Sequence, residues 1–406
     1  MKTVLRKLAS VLCVLLFTGQ LHAEVVPYLR ADLLGGQYFY NGKSGSMSAN
    51  GDLTGSLSFD LGNWMIVPIY EGVYQTTQQV FDLTGGGTLF SQMMSHRVSV
   101  EGVYEFAYGW LFKPEAGYKY YFLNETTDES WGTGLFDYRR INGSLTVEHT
   151  YSDPFSLRFT LDAYSLKFPN YQSLESQIGG GMARELNGTD VINSNNLAFT
   201  AAMNGRAGRF LWDGSVSGTR AYFDNQHVIN AQGQFNSPTR VDNVFAGSVV
   251  LKMPVQVSGK SILSPGVNFG VNYNDSNQND YDATQSKFVP SYYDYVKFNG
   301  GADINYRSLV PGYDNKFMSL TAGFYYGRTN YRSRLVQSAA GVYSSDTVYL
   351  NEYIVRANGS YPIGKQFDLV SSIVYGNQTS NMQYEKLYAY NFNIFTYLFG
   401  VRYEFE

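Results

Sequence analysis

Cysteine is missing after Cys13, histidine occurs four times, and proline only eleven times in 406 residues. Without cysteine in the body of the chain there is no disulfide framework, no thiolate metal site and no cysteine nucleophile. Beyond the first 23 residues there is also no apolar run of the length a membrane helix needs, about 20 residues, so a helical membrane protein is excluded. A basic surplus is missing as well. The formal net charge is −4, which argues against nucleic acid as a partner, because a basic footprint is needed there. Long helical periodicity is likewise absent, which leaves strands and turns.

The first 23 residues are a different matter. Lys2, Arg6 and Lys7 precede a short apolar stretch, Leu8 to Phe17, and Leu21-His22-Ala23 ends in a small residue. This is the layout of a secretory signal cleaved near Ala23 and exported by the Sec route. Its removal takes away three positive charges and no negative one, so −4 becomes −7. What remains, 24–406, reads as one domain. The first strand is expected near Val26 to Tyr40, which leaves no room before it for a plug or a periplasmic domain.

Aromatic residues are abundant: Tyr 35 and Phe 27 bring the aromatic share to 16% in a chain of negative mean hydropathy. Apolar residues, aromatic ones among them, recur at every second position along several stretches. Leu53, Leu57 and Leu61 interleave with Thr54, Ser56 and Asp60; Val98, Val100 and Tyr104 with Ser99, Glu101 and Glu105; Ile141, Leu145 and Val147 with Arg140, Ser144 and Glu148. Side chains in a strand alternate between faces, so each run has one apolar and one polar face. At the end of the chain Phe395, Tyr397, Phe399, Val401, Tyr403 and Phe405 form an almost wholly aromatic face. Gly400-x-x-Tyr403-x-Phe405 resembles the C-terminal assembly signal of bacterial outer-membrane β-barrels. The resemblance covers about a dozen residues and implies an outer-membrane location, a Gram-negative cell envelope, and the barrel-assembly machinery, outer-membrane lipid and lipopolysaccharide as partners.

Short turns alternate with longer polar stretches along the chain. The short ones lie at Gly62-Asn63, Ala107 to Trp110, Tyr151 to Phe155, Gly205 to Arg209, Val257 to Lys260, Arg307 to Asn315 and Pro362 to Gln366. The longer ones are Asn41 to Asn50, Thr76 to Ser95, Asn124 to Gly132, Pro169 to Asn195, Asp224 to Thr239, Asn274 to Lys287, Arg328 to Asp346 and Gly376 to Lys386. Short turns at one rim and long loops at the other are the outer-membrane arrangement. The expected fold is all-β, a single transmembrane antiparallel up-and-down barrel of about 16 strands, with 14–18 as the range.

No catalytic, cofactor or metal site is expected. His96, His149 and His227 stand in no triad pattern. Gly85-Gly86-Gly87 and Gly179-Gly180-Gly181 lack the Lys-Ser/Thr of a phosphate loop, and Asp275, Asp280 and Asp282 lack the Gly and Glu of a calcium loop. Trp64, Trp110 and Trp212 sit beside short turns, where an interfacial belt would place them. The informative set is the charges on the polar face: Arg97, Glu101, Glu105, Arg140, Arg158, Asp162, Lys297, Asp303, Glu352 and Arg356, with Arg30, Asp32, Glu115, Lys119, Glu148, Lys252, Arg402 and Glu404. In lipid an Arg or Lys costs about 2–4 kcal/mol at the midplane, so these residues point into a lumen. Sixteen strands enclose a space too wide for side chains to fill. The sequence therefore reads as a hydrated pore for small polar solutes or ions, with the Pro169–Asn195 segment as the candidate to fold inward. The competing reading is an accessory, export, adhesin or scaffold barrel with an occluded lumen. Self-association into a homo-oligomer is left open.

Overall fold

The structure, a computed structural model, describes residues 24–81, 88–124, 129–150, 155–172, 186, 188–313, 316–385 and 389–405. The leader reading and both Gly-Gly-Gly runs fall outside these residues. The strands are β1 (Val25–Tyr40), β2 (Lys43–Asp60), β3 (Trp64–Phe81), β4 (Thr88–Ala107), β5 (Trp110–Asn124), β6 (Tyr138–His149), β7 (Phe155–Lys167), β8 (Ser194–Ala207), β9 (Phe210–Ile229), β10 (Phe235–Lys252), β11 (Val255–Ser258), β12 (Ser261–Ser276), β13 (Asp280–Asp282), β14 (Lys287–Val289), β15 (Tyr295–Leu309), β16 (Phe317–Gln337), β17 (Tyr343–Pro362), β18 (Phe367–Ser380) and β19 (Phe392–Phe405). Each barrel strand pairs antiparallel with the next, and β19 pairs back onto β1. β11 carries on the β10 position beyond Met253-Pro254, and β13 pairs only with β14 in a separate small hairpin. The result is a closed up-and-down barrel of sixteen strands. Closure satisfies the strand backbone without an edge, as a membrane requires.

Alternation decides which side each residue faces. The outward positions are exposed and apolar: Leu33 62%, Ile141 62%, Phe269 61% and Phe399 57%. Trp64 stacks on Tyr104 with ring centroids 4.9 Å apart, and Trp110 lies 4.7 Å from the His149 ring. These rings, with Trp212, belong to the outer wall at the short-turn rim. A second set, including Tyr70, Tyr118, Tyr120, Tyr326 and Tyr353, shares the outward face nearer the other rim. Between the two belts the wall is apolar, as a lipid-facing band is.

Four expected loops are largely strand. The stretch expected as a loop at Asn41 to Asn50 is a two-residue turn, with β2 already running from Lys43. Asn41 has φ 47° and Gly42 φ 74°, the left-handed pair that a type I′ hairpin turn uses. The stretches from Thr76, Asp224 and Arg328 likewise hold strand as far as Phe81, Ile229 and Gln337, with the next strand resuming at Thr88, Phe235 and Tyr343. β16 has 21 residues, whereas about 9–11 cross a bilayer. Beyond the lipid no apolar face is required, so the upper parts of these strands carry polar sequence.

The seam between β1 and β19 is unusually tight. It runs from Leu29 opposite Phe405 to Tyr40 opposite Ile394. A Cβ placed on Gly400 would run into the backbone carbonyl of Leu33, and one on Gly36 into that of Tyr397. Both glycines face the lumen, and both are required by the approach of one backbone to the other.

Candidate functional site

All the charges assigned to the polar face by sequence lie on the inward face of their strands. They gather on two sectors. On β3 to β7, Arg97, Lys119 and Arg140 are direct cross-strand neighbours. Next to this basic row runs an acidic one: Glu101 opposite Glu115, and Ser144 opposite Asp162. Arg97 donates to Glu71 at 2.9 Å and also pairs with Glu115; Arg140 reaches Asp162 at 2.5 Å, and Lys113 reaches Glu148 at 2.6 Å. Closer to the seam, Arg30 and Arg402 both bind Asp32, at 2.8 and 2.7 Å. Glu101 has neither hydrogen bond nor ion pair among the described residues. Glu105 is at the short-turn rim, where its Oε1 accepts the Gly109 N–H at 3.0 Å. A recess of about 400 Å³ opens here between Arg30, Asp52, Glu71, Arg97 and Lys119.

The second sector, on β10 to β17, lies roughly across the ring. Here polar side chains alternate with glycines from strand to strand. One row reads Lys252, Gly266, Asp303, Gly323, Arg356, each the direct partner of the next. Another reads Ser248, Gly270, Asn299, Gly327, Glu352. Each glycine leaves a hollow over which a neighbour lies. The place of a Cβ on Gly270 is 2.6 Å from Asn299 Oδ1, and that on Gly301 is 3.1 Å from Asn268 Nδ2. The result is a recess of about 690 Å³ in the lumen wall. Lys297 and Glu352 pair within it at 2.5 Å. Its charges were legible in the sequence and its glycines were not. Their signal is present, since Gly266 and Gly270, like Gly323 and Gly327, share a strand face, but it has meaning only once the register is known.

Between these sectors the middle of β8 and β9 presents small neutral side chains inward, Ala198, Thr200, Ala202, Ser215 and Ser217. On β18 and β19 Val370 and Leu398 are buried. At the long-loop rim, chain folds back onto inward-facing residues. Phe136, Phe168, Tyr171, Leu186, Val191 and Ile192 pack against Met93, Leu123, Tyr138 and Leu166 of the inner wall. Tyr171, Leu186, Val191 and Ile192, from the described parts of the Pro169–Asn195 segment, thus lie on the inner side of the wall at that rim. On the other side Met382 and Tyr390 pack on Tyr331, Val348 and Leu350. Tyr293 lies over the buried guanidinium of Arg240, 3.8 Å from its centre, and Asp242 closes the same group at 2.6 Å.

The remaining candidates have local duties. His96 Nδ1 is 2.9 Å from the Tyr70 hydroxyl, and His227 Nδ1 is 3.0 Å from the Asn236 carbonyl. Asp282 accepts the Thr284 N–H at 2.8 Å and the Tyr343 hydroxyl at 3.1 Å, so it caps its own turn. Asp280 is buried, which pushes its carboxyl up to about 6 against the pull of Arg334. On the lipid-facing wall, at the level of the upper tyrosine belt, Arg139 lies 5.4 Å over Tyr120, Arg220 5.1 Å over Tyr222 and Arg332 5.4 Å over Tyr273.

No family model matches the chain, and no curated protein does. Solved structures do. OprB of Pseudomonas putida is 10% identical with a TM-score of 0.49, covering 94% of both chains. OccD3 of Pseudomonas aeruginosa is 11% identical at 0.46, covering 96% of this chain and 95% of its own. OmpT, an outer membrane protein of Vibrio cholerae, is 11% identical at 0.46, covering 95% and 100%. Likeness this distant adds nothing on function, and the barrel stands on its own strand pairing.

Proposed function

We propose that the protein is an outer-membrane pore through which small polar solutes or ions pass by diffusion. The observation that carries this is the division of the wall: apolar outside, and charged inside on two facing sectors with polar recesses. Ionised groups that face a space too wide for side chains to fill demand water. Among the described residues the histidines support passage over catalysis, since His96 and His149 lie on the outer wall and His227 at the long-loop rim, away from the lumen charges. The accessory reading draws on the loop clusters at the long-loop rim, which take up lumen space without a partner being needed to place them.

In planar bilayers under asymmetric potassium chloride, the purified barrel should give stepwise conductance. Fixed charge in a confined lumen acts at lower effective dielectric than in bulk water, so an unpaired carboxylate biases the ion that passes. Glu101 is the unpaired member of the acidic row. Glu101→Gln should lower cation preference, seen as a shift in reversal potential. Glu105→Gln should do less, because that group caps a turn at the rim and glutamine keeps an acceptor there. An unchanged reversal potential in both variants removes these carboxylates from the conduction path.

The partner proposed for the outward cations is the phosphorylated headgroup of lipopolysaccharide, which lies at their level in an outer leaflet. Arg139→Gln combined with Arg220→Gln should reduce lipid A retained through purification. Equal retention would assign these arginines to stacking on tyrosine alone.

A further inference from the structure

We propose that the glycine-floored recess on β10 to β17 is a binding subsite for a polyhydroxylated carboxylate, a sugar acid of hexose size. This rests on the pore reading only in that the solute must reach the lumen.

Three ionised groups in the recess are uncommitted. Lys252, Asp303 and Arg356 make neither ion pair nor hydrogen bond among the described residues. They occupy one cross-strand row, and each cation is separated from the carboxylate by a single glycine strand. Two strand spacings put each cation's Cα about 10 Å from that of Asp303. Both side chains then lean over the glycines toward it. Lys252 Cγ and Asp303 Oδ2 approach the hollow at Gly266 to 3.1 and 3.3 Å, and Asp303 Cβ and Arg356 Nε approach that at Gly323 to 3.2 and 3.7 Å. A gap between opposite charges results, with one positive charge in excess, because the Lys297–Glu352 pair is already closed.

That excess selects an anion. The planar fork of Arg356 fits a carboxylate, whose two oxygens it can bind together. Asp303 would repel a second carboxylate, so it suits hydroxyl donors on the rest of the solute. Asn268, Asn299 and Tyr325 supply neutral donors and acceptors around them. A simple inorganic anion would satisfy the cations and leave Asp303 and the amides without purpose. A neutral sugar would leave both cations unpaired. The volume, about 690 Å³, falls in the range of small-molecule sites.

The test is calorimetric titration of the folded, detergent-solubilised barrel with D-galacturonate, D-galactose and acetate. Galacturonate should bind at least about fivefold more tightly than either of the others. Arg356→Gln should reduce it to the level of galactose, and Lys252→Gln should weaken it several-fold, with heat-modifiable gel migration showing each variant folded. Galacturonate no tighter than galactose in the native protein overturns the proposal, whatever the variants do. So does undiminished binding in either folded variant. Absence of ion conductance alongside selective galacturonate binding would instead overturn the pore and leave the subsite standing.

Discussion

Gly400→Ala should prevent the barrel from closing, and Gly36→Ala should do the same. Each adds a single methyl group, yet that methyl would meet main chain of the facing strand: Leu33 in one case, Tyr397 in the other. A flexible side chain could move aside; a backbone carbonyl held in the ladder cannot. Overpacking against movable neighbours costs about 1–3 kcal/mol, and here the seam strands themselves must separate. Folded, heat-modifiable protein should therefore fall by roughly tenfold or more. The two variants together divide two explanations of Gly400. It belongs to the segment resembling an assembly signal, with Tyr403 and Phe405, whereas Gly36 is at the other end of the chain. If Gly400→Ala fails and Gly36→Ala assembles normally, the defect belongs to the terminal signal. If both assemble normally, the seam has room for a methyl group at both positions and the backbones do not approach this closely.

Val100→Lys should be the most damaging single change on the outer wall. Val100 is 44% exposed and lies on β4 between the two aromatic belts, with Tyr104 stacked on Trp64 below it and His96 against Tyr70 above. A lysine there meets the middle of the bilayer and costs about 2–4 kcal/mol, a loss of about thirtyfold or more in folded protein. Its neighbour Glu101 faces the other way, so Glu101→Gln should insert like the native chain. Gel migration with and without boiling reads both. The reverse outcome, with lysine tolerated at position 100 and glutamine at position 101 blocking insertion, would mean that the two faces have been exchanged.

The alternation that fixes these faces was legible because lipid imposes it. Along β4, β6 and β19 every second residue must be apolar, and Val98, Ile141 and Phe399 record that constraint one strand at a time. The inward side of the charges named on the polar face followed from the same rule, and the sixteen strands followed from short turns alternating with longer polar stretches. Two things were not legible. Above the membrane the constraint lapses, so the upper ends of β9, β10, β16 and β17 read as polar loops. Asn41-Gly42 is a turn signal that the polar residues around it obscured. The second was the shape of the lumen. Lys252, Asp303 and Arg356 are far apart in sequence, and only the register shows that glycines stand between them. Likewise, Gly36 and Gly400 meet only because the first strand pairs with the last.

Liposome swelling tests the central claim most directly. Vesicles carrying the folded barrel and placed in isotonic arabinose should swell at a rate that rises with protein content and falls as the sugar is enlarged to a disaccharide and then a trisaccharide. A barrel that is heat-modifiable and inserted, yet admits none of these solutes and no ions, would contradict the pore and make the loop clusters at the rim a permanent closure.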